Sequence, residues 1–368
     1  MKNVLGIIIN NPSDQLGVLT DHRNPVTLPF FARYRMIDFA LSNLVNSGVP
    51  KIGVVASDKY RSLLDHVGTG QEWGLSRKSQ ALVILQGARR IGNVNARDIN
   101  LMDFEKNDMV FERNLTDDII ITTPNIVSRA NYSHALEIHR KSGADITLIS
   151  TKNAPDDQDH TCLFMDIDEN HDVLDLTEGN PRRYEYQYAG TLIISREALL
   201  QLLLLAPEIG IYEMLDLVMA NFDDFRIKCY PYGGYLRRIS TIRDYFDSSM
   251  ELLDPEISTQ IFTGSDIIYT KIKDNHPTLY KSTSDVKDSC IASGSTIEGS
   301  VRNTVLFRQV HQMADSEITN SILMEGCRVG KGTVLDYVIA DRNVIIGDNV
   351  VLKGTHANPV VLKKEMVI

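Results

Sequence analysis

Cysteine is scarce: Cys162, Cys229, Cys290 and Cys327 are the four in 368 residues, and none stands in a C-x-x-C pair. That spacing suits neither a zinc site nor a disulfide framework, so the thiols are expected to be reduced and packed. Long apolar runs are missing as well. Val4 to Ile9 and Ala198 to Ala206 are the longest, both well short of the ~20 residues a membrane helix needs. The first run stops at Asn10-Asn11-Pro12 with no small-residue cleavage site, so no signal peptide is read and the expected compartment is the cytoplasm. Nor is there an excess of positive charge. Thirty-eight Lys and Arg against 48 Asp and Glu leave −10, which argues against a nucleic-acid partner or an anionic membrane surface. Any phosphate the chain binds must meet a local basic pocket.

What is present is a near-average globular composition, 43% apolar and 23% charged, on a chain long enough for about two domains. Over the first ~250 residues, short β-branched runs alternate with helical periodicity, the pattern of a mostly parallel sheet covered by helices. Val4 to Ile9, Lys51 to Ala56, Asp118 to Thr122 and Ala144 to Ser150 read as strands. Ile37 to Ser47 and residues 131–142 read as helices stopped by Gly48 and Gly143. Ala198 to Ala206 reads as an ordinary buried core helix, and Trp73 as a packing residue. His134 and His139, five apart, do not share a helix face and do not suggest a metal.

The texture changes near Asp254-Pro255. Apolar residues then recur every six positions, at Ile291 and Ile297, at Leu323, Val329 and Leu335, and at Val338, Val344 and Val350, with glycines between. This is the hexapeptide spacing of a parallel β-helix, with a short or imperfect coil expected between about Asn303 and Ser316. The expected organisation is an α/β domain over 1–254, a connector over 255–284 and a β-helix domain over 285–368.

One segment sharpens the reading. Arg33-Tyr34-Arg35-Met36-Ile37-Asp38-Phe39-Ala40-Leu41-Ser42-Asn43, followed by Asn46-Ser47-Gly48, closely resembles the ADP-glucose pyrophosphorylase (glucose-1-phosphate adenylyltransferase) family. The segment His66-Val67-Gly68-Thr69-Gly70-Gln71-Glu72-Trp73 resembles it too, and the likeness runs from residue 4 into the β-helix. The resemblance implies a Rossmann-like nucleotidyltransferase domain with a C-terminal left-handed parallel β-helix. It also implies a reaction: ATP and glucose 1-phosphate give ADP-glucose and pyrophosphate. Attack of one phosphate on another needs a glycine-rich loop, Arg and Lys donors, and Mg²⁺ held by two carboxylates.

Against that pattern this chain departs at each charge-handling position. The family's G-G-x-G-T-R-L loop falls on Asn10 to Leu16, with no glycine, Asp14 added and Gln15 at the arginine position. The lysine of the family's A-K-P-A falls on Pro25. The two metal carboxylates fall on Asn125 and Arg238. A cation ~4 Å from another costs ~4 kcal/mol per unit charge pair at an effective dielectric of ~20. No catalytic set and no metal are therefore expected; Mg²⁺ is expected only in a catalytic partner. Glu178 keeps the sugar-site carboxylate, while the adjoining lysine has become Gly179, so Glu178 and Arg238 are left as a substrate-like pocket. Arg238 is expected either to meet a ligand phosphate or to close the site against Asp14.

The resemblance thus points to the regulatory, catalytically deficient type of subunit, acting in bacterial glycogen synthesis by hetero-oligomerisation with a catalytic glucose-1-phosphate adenylyltransferase. It also implies a sugar-phosphate effector, or a nucleotide, near His22, Arg23, Arg33 and Arg35. Two alternatives stand beside this reading. One is an active adenylyltransferase with rebuilt phosphate contacts. The other is a hexapeptide acyltransferase, for which His311 and His356 are the histidines available and fewer than about five coils are expected.

Overall fold

The computed structural model describes residues 3–9, 14–56, 60–77, 81–88, 99–107, 116–152, 162–179 and 183–368. The N-terminal strands are β1 Val4–Ile9, β2 Pro29–Phe30, β3 Tyr34–Arg35, β4 Lys51–Ala56, β5 Ala81–Gln86, β6 Asp118–Thr122, β7 Ile126–Ser128 and β8 Ile146–Lys152. They continue with β9 Leu163–Ile167, β10 Val173–Glu178, β11 Tyr186–Ser195, β12 Ile227–Pro231 and β13 Leu236–Arg238. Nine of these build one sheet in the order β10-β9-β11-β6-β1-β4-β5, with β8 beside β11 and β12 beside β8. The β5-β4-β1-β6 half is parallel. Strand β11 runs antiparallel to β6, β8 and β9, so the sheet is mixed rather than mostly parallel. A β-branched run carries no signal of its partner's direction, which is why the sequence did not show the reversal.

The side-chain period of two sorts β1 between layers. Leu5, Ile7 and Ile9 pack with the helices Arg196–Ile209 and Met214–Ala220. Val4 and Ile8 pack with the helices Met36–Asn46 and Ser133–Ser142. Each fully buried Ile or Leu contributes ~1.5–3 kcal/mol relative to exposure. Trp73 is buried in the second layer. Helix Arg196–Ile209 departs from the expected core helix. Ala198, Leu199, Leu202 and Ala206 are buried, but Leu204 is 73% exposed and Leu200 47%. A leucine run gives no contrast between faces, so its outer stripe was invisible in the sequence.

From Leu279 to Leu362 the chain forms three parallel sheets of five strands each, the three walls of the left-handed β-helix. Its first rung starts at Leu279, inside the segment read as connector, and this gives the fifth rung. Val301, Ile318 and Leu335 stack at zero exposure, each a coil of 17 residues from the next. One coil is short, 15 residues from Thr296 to His311 against 17 from Ser300 to Glu317; the same 15-residue spacing already links Cys290 to Val305, so the shortening lies earlier than the Asn303–Ser316 stretch where it was expected. Asn303, Gln309, Asp315, Asn320, Asn343 and Asn349 turn corners in the left-handed region, where Asn and Asp are least penalised.

A third apolar cluster joins the two domains. Phe30, Phe39, Tyr245 and Phe246 pack against Val305, Phe307, Ile322 and Ile339 of the β-helix. Among the described residues no cysteine is in a disulfide, and Cys162, Cys229 and Cys327 are buried. Among the described residues no helix is long and apolar enough to cross a membrane.

Candidate functional site

Two places hold most of the residues singled out above. The first lies beside the C-terminal end of β6. Strand β13 pairs antiparallel with β7, placing Arg238 opposite Ile126, and the Ile239 N–H donates to the Asn125 carbonyl at 2.8 Å. Asn125 and Arg238, remote in sequence, are therefore neighbours. Arg238 Nη2 donates to the Tyr188 carbonyl at 2.8 Å, a backbone anchor and not a ligand-facing pose. The Asn125 Oδ1 is buried with no hydrogen-bond partner among the described residues. One amide oxygen, with a guanidinium held on the Tyr188 carbonyl, is not a donor set for Mg²⁺, which takes oxygens and favours carboxylates. Among the described residues no group of three or more His, Cys, Asp or Glu could hold a metal.

Pro25 opens a short 3-10 turn, Pro25–Thr27, whose Asn24 Oδ1 accepts the Val26 N–H. With Leu16, Leu28, Met36 and Ile239, Pro25 closes the space around Asn125 to a cavity of about 20 Å³, room for one water-sized molecule. The backbone of Gln15 lies in the 3-10 segment Asp14–Thr20, while its side chain, that of Asp14 and residues 10–13 lie outside the described residues. Glu178 sits at the exposed end of β10, near the sheet edge, and Asn180 lies outside the described residues.

The second place is a cleft between the domains, with a cavity of about 230 Å³. Its N-terminal wall is the β2–β3 hairpin. Phe31 and Ala32 form its turn with φ of 41° and 65°, backbone strain that non-glycine residues hold only where surrounding packing enforces it. Here Phe262 enforces it, stacking on Phe31 at 5.4 Å and on Tyr34 at 5.0 Å. The hairpin presents Arg33 and Arg35. The Arg33 guanidinium lies 5.0 Å over the Tyr34 ring. Arg35 Nη1 donates to the Ser62 carbonyl at 3.0 Å. Asp38 accepts the Arg35 N–H at 2.9 Å with one oxygen and meets His66 Nε2 at 2.5 Å with the other, which locks this wall.

The connector adds Lys271 and Lys273, and the β-helix adds Arg308, Arg342 and Glu325. Six cationic side chains thus line the cleft against the carboxylates of Asp65 and Glu325. Burial, reinforced by the nearby Arg342 charge, pushes the Arg35 guanidinium down to about 10. Burial likewise lowers Arg308. Arg342 Nε is buried without an acceptor among the described residues. A concave site with surplus cations and an unmet donor is suited to an anion with several oxygens, phosphate above all.

The structure brings Arg33 and Arg35 into this cleft but not the other two members of the basic stretch. His22 is exposed outside it. Arg23 is buried, with Nη2 on Asp341 Oδ1 at 2.5 Å and Nη1 3.6 Å from Met324 Sδ. Lys271, Lys273, Arg308 and Arg342 were missed. The one local signal for them is Lys271-x-Lys273, two cations on one side of an extended connector, and it means nothing until the β-helix folds back against it.

The chain is similar to known proteins along its whole length. The nucleotidyl transferase family model matches residues 13–204, and the model for a GlmU-like C-terminal hexapeptide region matches residues 276–358. Glycogen biosynthesis protein GlgD of Bacillus subtilis (strain 168) is 30% identical over 367 residues, covering 100% of this chain and 97% of that protein. GlgD of Geobacillus stearothermophilus is 33% identical over 84% of this chain and 81% of its own length. A glucose-1-phosphate adenylyltransferase of Acetivibrio thermocellus is 29% identical over 95% of this chain and 83% of its own. With the nucleotidyltransferase domain, the hexapeptide β-helix and full-length similarity of this order, the chain belongs to the glucose-1-phosphate adenylyltransferase family, among its GlgD-type members.

Proposed function

We propose that this chain is a regulatory, catalytically deficient member of its family, serving glycogen synthesis through a hetero-oligomer with a catalytic glucose-1-phosphate adenylyltransferase. The observation that supports it most is the pairing of β7 with β13. It sets Asn125 beside Arg238, the two residues on which the resemblance puts the family's metal carboxylates, and Arg238 is spent on the Tyr188 carbonyl. Removing one preorganised charge donor typically lowers a rate ~10²–10³-fold, and here several are replaced together. Among the described residues, apolar packing around Pro25 leaves about 20 Å³ beside Asn125, which supports the reading sterically.

In this reading the retained chemistry is binding. A sugar phosphate, or the phosphates of a nucleotide, would bridge Arg33 and Arg35 of the α/β domain and Arg308 and Arg342 of the β-helix. By favouring one arrangement of the two domains, it would bias the partner subunit through differential affinity. The chain needs no metal of its own for this, and the expected compartment is that of the pathway, the cytoplasm. Co-expression with a catalytic paralogue tests the reading: a mixed oligomer is expected, with altered turnover or effector response. Separate elution of the two chains and unchanged paralogue kinetics would overturn it.

A further inference from the structure

One carboxylate in the basic cleft has no role in the reading above. Glu325 stands on a β-helix rung with Oε1 2.5 Å from Lys273 Nζ of the connector and Oε2 2.9 Å from Arg342 Nη2. Each oxygen takes a different cation, as two oxygens of a phosphate would. The rung is fixed: the Asn343 N–H donates to the Glu325 carbonyl at 3.0 Å, one coil away. Burial opposes the charge on Glu325, but the Lys273 hydrogen bond and the Arg342, Lys273 and Arg308 charges outweigh it and hold the carboxyl below the ordinary glutamate range. Asp65, the other lining carboxylate, is exposed, so Glu325 is the anion set among the cations.

Resting on the reading of the cleft as an anion site, we propose that Glu325 is an internal anion that occupies Lys273 and Arg342 in the free chain and is displaced from them by an incoming phosphate ligand. Two consequences follow. Glu325 sets the ligand concentration the site requires, because each bound phosphate must take over its partners and tolerate its charge. It also ties the connector to the β-helix until ligand replaces the tie, so exchange of one anion for another changes what holds Lys273.

A purely structural ion pair and an internal competitor give opposite signs on binding. Glu325→Gln keeps the size and an acceptor oxygen but removes the charge. Calorimetric titration of the full chain with inorganic pyrophosphate is expected to show about tenfold tighter binding for Glu325→Gln than for the unaltered protein, the scale of one charged hydrogen-bonded interaction. Thermal unfolding without ligand should at the same time give a lower midpoint, since the cations then repel one another uncompensated. Should Glu325→Gln not fold, Glu325→Asp, which withdraws the charge by one methylene, should show the same tightening at smaller size. Binding by the unaltered protein with equal or weaker binding by the variants would overturn the role of Glu325 and leave the anion site standing. No pyrophosphate binding by any of the three would overturn both.

Discussion

Arg23 and Asp341 meet at 2.5 Å across the junction of the two domains, at 6% and 1% exposure. Asp341 Oδ1 also accepts the Arg342 N–H at 2.6 Å, so the same carboxylate fixes the backbone of a cleft residue. Removing one member of a buried pair leaves the other uncompensated, which typically costs ~3–5 kcal/mol. Arg23→Met should therefore lower stability by that order in thermal or urea unfolding, and Arg23→Met with Asp341→Leu should recover most of the loss. A single variant as stable as the parent would show that the junction is held by its apolar cluster alone.

Purified alone, the chain should make ADP-glucose at no more than a trace of a catalytic paralogue's rate. Asn125→Asp with Arg238→Asp restores two carboxylates at neighbouring positions but leaves Pro25 and Leu16 closing the recess. Metal binding, read by calorimetry with Mg²⁺, should appear before measurable turnover. Robust turnover by the unaltered chain, free of contaminating paralogue, would refute the deficiency.

Arg35 faces the cleft with its guanidinium charge disfavoured by burial and by Arg342, so a bound phosphate would relieve it. Arg35→Gln should weaken binding of fructose 1,6-bisphosphate at least tenfold, the size of a lost charged hydrogen bond. Arg23→Met, outside the cleft lining, should reduce it less. Equal losses from the two would mean the effect is one of folding.

Asp118 carries a pH signature. Burial alone would raise its carboxyl, but hydrogen bonds from His139 and Arg140 outweigh burial and leave it below the ordinary aspartate range. Arg140 Nε lies 2.6 Å from Oδ2 and His139 Nε2 3.4 Å from Oδ1. A depressed folded-state value means the stabilisation is fully present above the unfolded value, ~3.9, and fades as pH falls through the folded one. Asp118→Asn should thus cost about 1–3 kcal/mol at pH 7 and progressively less below about pH 4. A cost that stays constant down to strongly acidic pH would contradict this.

Gly190 lies at the register shift of β11 with φ of 77°, and a Cβ there would come within 2.8 Å of Thr123 Oγ1 and 3.0 Å of Ile126 Cγ1. Gly190→Ala should destabilise by ~1–3 kcal/mol, from backbone strain and the clash together. Chemical denaturation reads it directly, and an unchanged midpoint would mean the strand shifts freely.

The elements were largely legible because they are local. Val4 to Ile9 and Lys51 to Ala56 were read from β-branched runs and appear with those bounds. Of the hexad positions, Ile297, Leu323, Val329, Leu335, Val338 and Val344 are buried, while Ile291 and Val350 are half-buried, because a near-sixfold period projects most but not all of its residues inward. The cleft was only half legible. Arg33 and Arg35 stand together in the sequence, whereas Lys271, Arg308 and Arg342 reach the same space only after the β-helix docks. Arg23 looked like their companion by adjacency, yet its partner Asp341 lies 318 residues away, and no local pattern carries that distance.

The stacked coils decide in what order the molecule comes apart. Each coil touches only its neighbours, so opening spreads inward from the outer rungs, and amide exchange should be graded along the described solenoid, faster at the Ile345 rung than around Ile318. Arg342 stands one short step before the Ile345 rung, the outermost of the five among the described residues. Occupancy of the cleft should therefore be audible in the Ile345 rung, as slowed exchange in residues that touch no ligand.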